Sequence, residues 1–243
     1  MSFELVVTIC SAFAAFIASS FTVWGQIRLT KIQAELTEKR DEKLKKQEAE
    51  AIISRYREPL INAAYELQSR IFNILHLNFF NKFYVHGNAR EKQYAVENTI
   101  YVIAQYLGWS EIIRQEIQFL DLGELETTKK LSTSQDHICN LFLDSRLGKE
   151  FRIFRGEQRA IGDNMISKNN SSTSCLGYAQ FVQTQDAAFQ YWFEPLRDDL
   201  DLLAKNTKKQ NDRLIKLQHA LVDLIDFLDP DYIRYPKERR IKL

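Results

Sequence analysis

The chain has 243 residues, and 45% of them are apolar, which is enough for a buried core of ordinary size. Its 33 lysines and arginines nearly balance its 32 aspartates and glutamates, so the whole chain carries no field that would attract nucleic acid. Only eight glycines and four prolines interrupt the sequence, and this scarcity favours long helices. We therefore expect an all-α protein without a nucleic-acid partner.

The first predicted element is an uncharged run of 20 residues from Leu5 to Trp24. As a helix, this run would be roughly 30 Å long, which matches the hydrocarbon core of a bilayer. The only charge before the run is Glu4, whereas basic residues follow it from Arg28 onward. By the positive-inside rule, residues 1–25 are predicted to be an uncleaved single-pass anchor in an inner or plasma membrane. Its N-terminus would lie outside and the following domain in the cytoplasm.

Small residues recur at every fourth position of this predicted transmembrane helix. Ser11, Ala15 and Ser19 would lie on one face, where small side chains let two helix backbones approach closely in lipid. The alternative is that alanine and serine only fill a membrane helix of modest hydropathy. The pattern predicts self-association through the span, and hence a homo-oligomer.

Residues 26–58 are dense in charge and contain no glycine or proline, so they are predicted to form a charged helical stalk. Leu29, Ile32 and Leu36 have the spacing of a coiled-coil seam. The next seam position is Lys39, so the heptad pattern stops after little more than one repeat. A strong coiled coil is not predicted.

Apolar stripes with helical spacing predict a multi-helix bundle over residues 59–230. The stripes are Leu60–Ile74 after Pro59, Val96–Leu107 ending at Gly108, Ile113–Leu120 between Ser110 and Gly123, Phe189–Leu203 broken near Pro195, and Leu214–Leu228 before Asp229 and Pro230. The stretch from Phe151 fits a strand or a helix, and we predict a helix. Residues 164–174 are polar and aperiodic, which predicts a mobile loop.

Three arginines beside two aromatic residues form the most unusual local cluster of the sequence. Arg152, Arg155 and Arg159 are close in sequence to Phe151 and Phe154. Three guanidiniums at this spacing could hold a phosphate or a carboxylate. The competing interpretation is that they pair with acidic side chains of neighbouring helices. The sequence therefore names Arg152, Arg155 and Arg159 as a candidate anion-binding site.

No catalytic signature occurs, and Cys10, Cys139 and Cys175 have no CxxC spacing, so no catalytic residue, metal or cofactor is predicted. Asp223, Asp226 and Asp229 recur at every third position, but such residues usually form the solvent face of a helix. The basic C-terminal tail, residues 231–243, is predicted to stay solvated or to touch lipid headgroups or an acidic partner.

Three functional hypotheses follow from these features. The first is a membrane-anchored cytoplasmic domain that acts as a binding, scaffold or sensor module, with the bilayer, other copies of itself and an unidentified protein as partners. The second is an oligomeric membrane effector that forms a pore when the domain receives a signal. The third is an enzyme whose site is assembled from residues distant in sequence.

Overall fold

The computed structural model of the protein describes residues 3–118, 126–169, 172–184, 186–205 and 211–243. Within these ranges, the side chains of 3–15, 17, 18, 20 and a few further residues are not described. The chain divides into two units, Met1–Glu48 and Ala49–Leu243. The elements are α1 Phe3–Leu75, α2 Ala89–Gln118, α3 Glu126–Leu143, α4 Arg155–Asn164, β1 Ile166–Asn169, β2 Ser172–Cys175, α5 Tyr178–Gln183, α6 Ala187–Tyr191, α7 Glu194–Lys205 and α8 Asp212–Leu228. The described chain is mostly helical, which confirms the predicted fold class.

In the first unit, the described side chains are those of a charged, exposed helix. Among the residues that the structure describes, no helix is both long and apolar enough to cross a membrane. Most side chains of the predicted span, those of 5–15, 17, 18 and 20, lie outside the described ones. The predicted transmembrane helix therefore has no support from the structure.

Helix α1 continues through Pro59, where the sequence suggested that a new helix begins. Proline lacks the N–H that would bond to the carbonyl four residues earlier, so it usually starts a helix or bends one. Here the residues that follow it are fully buried, including Leu60, Ala63, Ala64 and Leu67. Packing of this apolar face compensates for the missing hydrogen bond.

Helix α2 likewise runs without interruption past Gly108, so the predicted stop at Gly108 and the predicted N-cap at Ser110 are wrong. A Cβ at Gly108 would lie 2.7 Å from the sulfur of Cys175 and 2.8 Å from Cβ of Met165. Glycine at this position therefore permits close packing instead of ending the helix. The predicted end of the next stripe, at Leu120 and Gly123, lies outside the described residues.

The predicted mobile loop contains a β-hairpin. Strands β1 and β2 pair antiparallel, with Ile166 opposite Cys175. The pairing continues beyond them, because the N–H of Leu176 donates to the carbonyl of Met165 at 2.8 Å. Aperiodic polar residues gave no strand signal. Among the described side chains of the hairpin, those of Ile166 and Cys175 at its ends pack on the core.

The ambiguous stretch 151–154 is irregular, and the helix begins at Arg155. Phe151 has a positive φ of 56°, which no helical residue adopts. Its side chain is buried, and its N–H donates to Asp199 at 2.7 Å. The prediction of a helix from Phe151 is therefore wrong by one turn.

The remaining stripes form the core of the second unit, as predicted. Leu214, Leu217, Leu221, Leu224 and Leu228 are all buried. The side chain of Asn211 begins α8 by accepting from the N–H of Leu214 at 3.0 Å. The aromatic stripe is split into α6 and α7 just before Pro195, which confirms the predicted break.

The C-terminal segment 231–243, predicted as a basic tail, packs on α1 and α8. Gln68 of α1 donates to the carbonyl of Arg239 at 3.2 Å, and Gln218 of α8 donates to the carbonyl of Ile241 at 2.8 Å. Two aspartates of α8 and the one that follows the helix pair with basic residues of the segment, namely Asp223 with Lys242, and Asp226 and Asp229 with Arg240. These aspartates therefore hold the segment in place.

Candidate functional site

Helices α2, α3 and α4 together line a cleft of about 370 Å³. Each helix contributes residues three and four apart, so one face of each helix is involved. The lining residues are Leu107, Ser110, Glu111 and Arg114 of α2, Ser132, Gln135, Asp136 and Cys139 of α3, and Arg155, Gln158 and Arg159 of α4. The volume lies in the range of small-molecule sites. Most of the lining residues carry a polar or charged group, but apolar atoms form the larger part of the exposed wall.

Gly162 fixes how closely α4 approaches α2 at the cleft. A Cβ at this position would lie 2.7 Å from Cβ of Glu111 and 2.9 Å from the carbonyl oxygen of Leu107. Both of these α2 residues line the cleft. The other glycine of the helix, Gly156, has open space around it. The contact at Gly162 thus places the arginines of α4 beside the polar face of α2.

On the α2 side of the cleft, two of the lining residues form an ion pair with each other. The guanidinium of Arg114 donates to both carboxylate oxygens of Glu111, at 2.7 and 2.5 Å. The side-chain amide of Gln115 joins Glu111 at 3.0 Å to Asp163 of α4 at 2.9 Å. The hydrogen bond to the Glu111 carboxylate raises the pKa of Arg114. Glu111 is therefore already paired within the protein.

The structure brings together two of the three predicted anion-binding residues. Arg155 and Arg159 lie one turn apart on α4, and both line the cleft. Arg155 donates to Asp136 at 3.3 Å and to Asn140 at 2.9 Å. Arg159 has no hydrogen-bond or ion-pair partner among the described residues. Arg152 does not line the cleft, because it precedes the helix and its guanidinium lies over the ring of Phe154, 5.0 Å from the centroid.

Two polar atoms of the cleft residues are buried without a hydrogen-bond partner among the described residues. They are Oε1 of Gln158 and Nε2 of Gln135, whereas the hydroxyl of Ser110 lies beside that of Tyr106. Gln158 is only 4% exposed, and its amide nitrogen is used, since it donates to the carbonyls of Ile153 and Cys139 at 2.8 and 3.0 Å. Buried polar atoms are rarely left unpaired. The cleft wall therefore contains one acceptor and one donor that are buried and have no partner among the described residues.

Cys139, at the cleft wall, is a poor nucleophile in this environment. Burial raises the pKa of its thiol, and the nearby Asp136 carboxylate adds to this effect, while Arg155 and Arg159 oppose it. A raised pKa means that less thiolate is present at neutral pH, and the thiolate is the reactive form. The cleft therefore offers recognition groups without an activated cysteine.

The residues predicted for self-association lie in the first unit. The side chains of Ser11 and Ala15 are outside the described ones. Ser19 is exposed, and its hydroxyl donates to the carbonyl of Phe16 at 2.8 Å within its own helix.

The sequence analysis did not predict the faces of α2 and α3 that line the cleft. The polar residues Ser132, Asp136 and Cys139 of α3 do recur with helical spacing, and this pattern could have indicated one of these faces.

The fold and the cleft together define a mostly helical protein with a ligand-sized cleft that two arginines line. Among the described residues, no group of three or more histidine, cysteine, aspartate or glutamate side chains could hold a metal ion. The chain matches no known protein family, no curated protein and no solved structure.

Proposed function

We propose that the chain is a helical binding or sensor module that takes a small anionic molecule in the cleft lined by α2, α3 and α4. The observation that carries this proposal is the convergence of Arg155 and Arg159 on a cleft that also contains the unpaired amide atoms of Gln135 and Gln158. Guanidiniums bind anions through charge-assisted hydrogen bonds, and the amide atoms would orient the rest of the molecule. The raised pKa of Cys139 gives no support to covalent catalysis in the cleft.

Glutamine substitutions test the anion site. Arg155→Gln and Arg159→Gln are each expected to weaken binding of inorganic phosphate about tenfold, because a hydrogen bond to a charged group contributes about 1.5–3 kcal/mol. Both side chains are exposed, so the melting temperature without phosphate should change little. Isothermal titration of the full chain in detergent, at constant ionic strength, measures the dissociation constants.

Arg152→Gln is the matched control for these variants. It removes the same charge from the same segment, but Arg152 lies outside the cleft. Phosphate affinity should therefore stay within twofold of the unmodified protein. The proposal is contradicted if the unmodified protein binds neither phosphate nor sulfate, or if Arg152→Gln loses as much affinity as Arg159→Gln.

We also propose that the first part of α1 attaches the module to a bilayer, with the module in the cytoplasm. The support is the uncharged run from Leu5 to Trp24 in the sequence, followed by basic residues. Exposed apolar side chains continue near its end, including Phe16, Phe21 and Trp24. The guanidinium of Arg28 lies 5.5 Å from the Trp24 ring centroid. Tryptophan is enriched at membrane interfaces, and basic residues are enriched on the cytoplasmic side.

Membrane fractionation tests the anchor. The full chain is expected to sediment with membranes and to stay with them after an alkaline carbonate wash. Extraction from the bilayer would expose its apolar run to water, which is unfavourable. A variant without residues 1–25 is expected in the supernatant. Recovery of the full chain in the supernatant after ultracentrifugation would exclude the anchor and leave the cleft proposal untouched.

A further inference from the structure

The two arginines that line the cleft from α4 differ in their contacts with other side chains. Arg155 makes one contact to the carboxylate of Asp136, at 3.3 Å, and the two side chains are 44% and 64% exposed. Such an exposed, single-contact ion pair is weak and easily exchanged. Arg159, one turn further along the same face, has no partner among the described residues, although its charge reaches the neighbouring thiol of Cys139.

The charges of the cleft leave one cation in excess. Glu111 and Arg114 neutralise each other through two hydrogen bonds. Of the remaining charged residues that line the cleft, Arg155 and Arg159 carry positive charge and Asp136 carries negative charge. A ligand therefore meets two guanidiniums, one of which already holds a carboxylate.

This arrangement discriminates between monoanions and dianions. A ligand carboxylate that replaced Asp136 on Arg155 would exchange one carboxylate for another and gain little there. A phosphate monoester carries a charge of about −1.5 to −2 and three acceptor oxygens, which is enough for both guanidiniums. Gln135 and Gln158 also line the cleft, and each has one buried amide atom without a partner among the described residues.

We infer that the ligand is a phosphate monoester whose phosphate bridges Arg155 and Arg159, and that Asp136 competes with it for Arg155. This inference rests on the proposed anion-binding function and names its ligand class. Asp136 holds Arg155 while the cleft is empty and repels the incoming dianion. It therefore sets the affinity of the site without binding the ligand itself.

Neutralising Asp136 tests the competition. Asp136→Asn is expected to tighten binding of inorganic phosphate to the full chain about fivefold, because it removes one nearby negative charge that the solvent only partly screens. The matched control is Asp223→Asn, which removes the same charge from another exposed ion pair, that with Lys242. The control should bind phosphate like the unmodified protein when ionic strength is held constant.

The possible outcomes distinguish failure of this inference from failure of the proposed anion site on which it rests. If the unmodified protein binds no phosphate, the anion site itself is wrong. If it binds phosphate but Asp136→Asn binds no more tightly, the competition is wrong. If acetate binds as tightly as phosphate, the phosphate class is wrong, since phosphate is expected to bind at least tenfold more tightly through both guanidiniums.

A phosphate monoester can belong to a soluble molecule or to a lipid headgroup. Binding of glycerol phosphate that Arg159→Gln weakens would identify a soluble ligand. Retention on vesicles containing phosphatidic acid that Arg159→Gln abolishes, without binding of glycerol phosphate, would identify a lipid headgroup of the same chemistry. Binding of neither compound overturns the inference.

Discussion

Replacing Arg213 with methionine is expected to lower the free energy of unfolding by about 3–5 kcal/mol, because several buried carbonyls would lose their donor. Arg213 is 0% exposed, at the start of α8. Its guanidinium donates to five backbone carbonyls, those of Leu141, Phe142, Asp144, Gly148 and Glu150. These carbonyls end α3 and form the segment that leads to α4, so one side chain holds this connection together.

Two further variants test whether the loss of stability comes from the buried guanidinium of Arg213. Arg213→Lys keeps the charge but has three donors on one nitrogen, so it is expected to lose at least half as much stability as the methionine variant. Arg146→Met is the control, because the Arg146 side chain is 87% exposed and its ion-pair partner among the described residues is Asp144. Its urea midpoint should match that of the unmodified protein. Urea denaturation of the full chain measures all three. A loss below about 1 kcal/mol for Arg213→Met would show that water replaces the guanidinium.

The second large effect is expected at the buried ion pair between Asp229 and Arg240, whose side chains are 3% and 1% exposed. Asp229→Asn is expected to cost about 3–4 kcal/mol, because it leaves the guanidinium of Arg240 buried without its main partner. Asp229 also accepts from the N–H groups of Ile233 and Arg234, at 2.9 and 3.1 Å. The variant should therefore release the C-terminal segment from α8.

The stability that Asp229 contributes depends on pH. Burial alone would raise the pKa of Asp229, but the N–H groups that it accepts from and the guanidinium of Arg240 bring it below its ordinary value. A depressed carboxyl pKa stabilises the folded state above the unfolded-state pKa, about 3.9, and this stability is lost as pH falls through the folded-state value. The urea midpoints of Asp229→Asn and the unmodified protein should therefore differ at pH 7 and approach each other as pH falls through the lowered pKa of Asp229.

Asp226→Asn is the control for this ion pair. Asp226 contacts the same guanidinium at 3.0 Å, but its side chain is 44% exposed. Solvent screens this contact, so the variant is expected to cost less than about 1 kcal/mol. Equal losses from Asp226→Asn and Asp229→Asn would mean that burial of the pair does not determine its contribution.

Only part of the candidate site could be predicted from the sequence. The spacing of Arg155 and Arg159 correctly placed them on one helical face, because four residues make about one turn. Arg152 would have joined them if the helix began at Phe151. The positive φ of Phe151, whose N–H is held by Asp199, makes the helix begin at Arg155 instead. A contact with a residue 48 positions away thus decided which arginines share the cleft.

The sequence by itself determined the helices that carry a clear apolar stripe, because apolar periodicity is a property of each short segment and survives whatever that segment packs against. Helix α3, for which no stripe was predicted, was not among them. Tertiary structure alone decided what Gly108, Arg213 and the arginines of α4 do. Gly108 reads as a helix stop but provides space for Met165 and Cys175. Arginines are mostly exposed, yet Arg213 is buried and donates to carbonyls 63 to 72 residues earlier. Such roles depend on which distant groups meet after folding, and no local pattern encodes that.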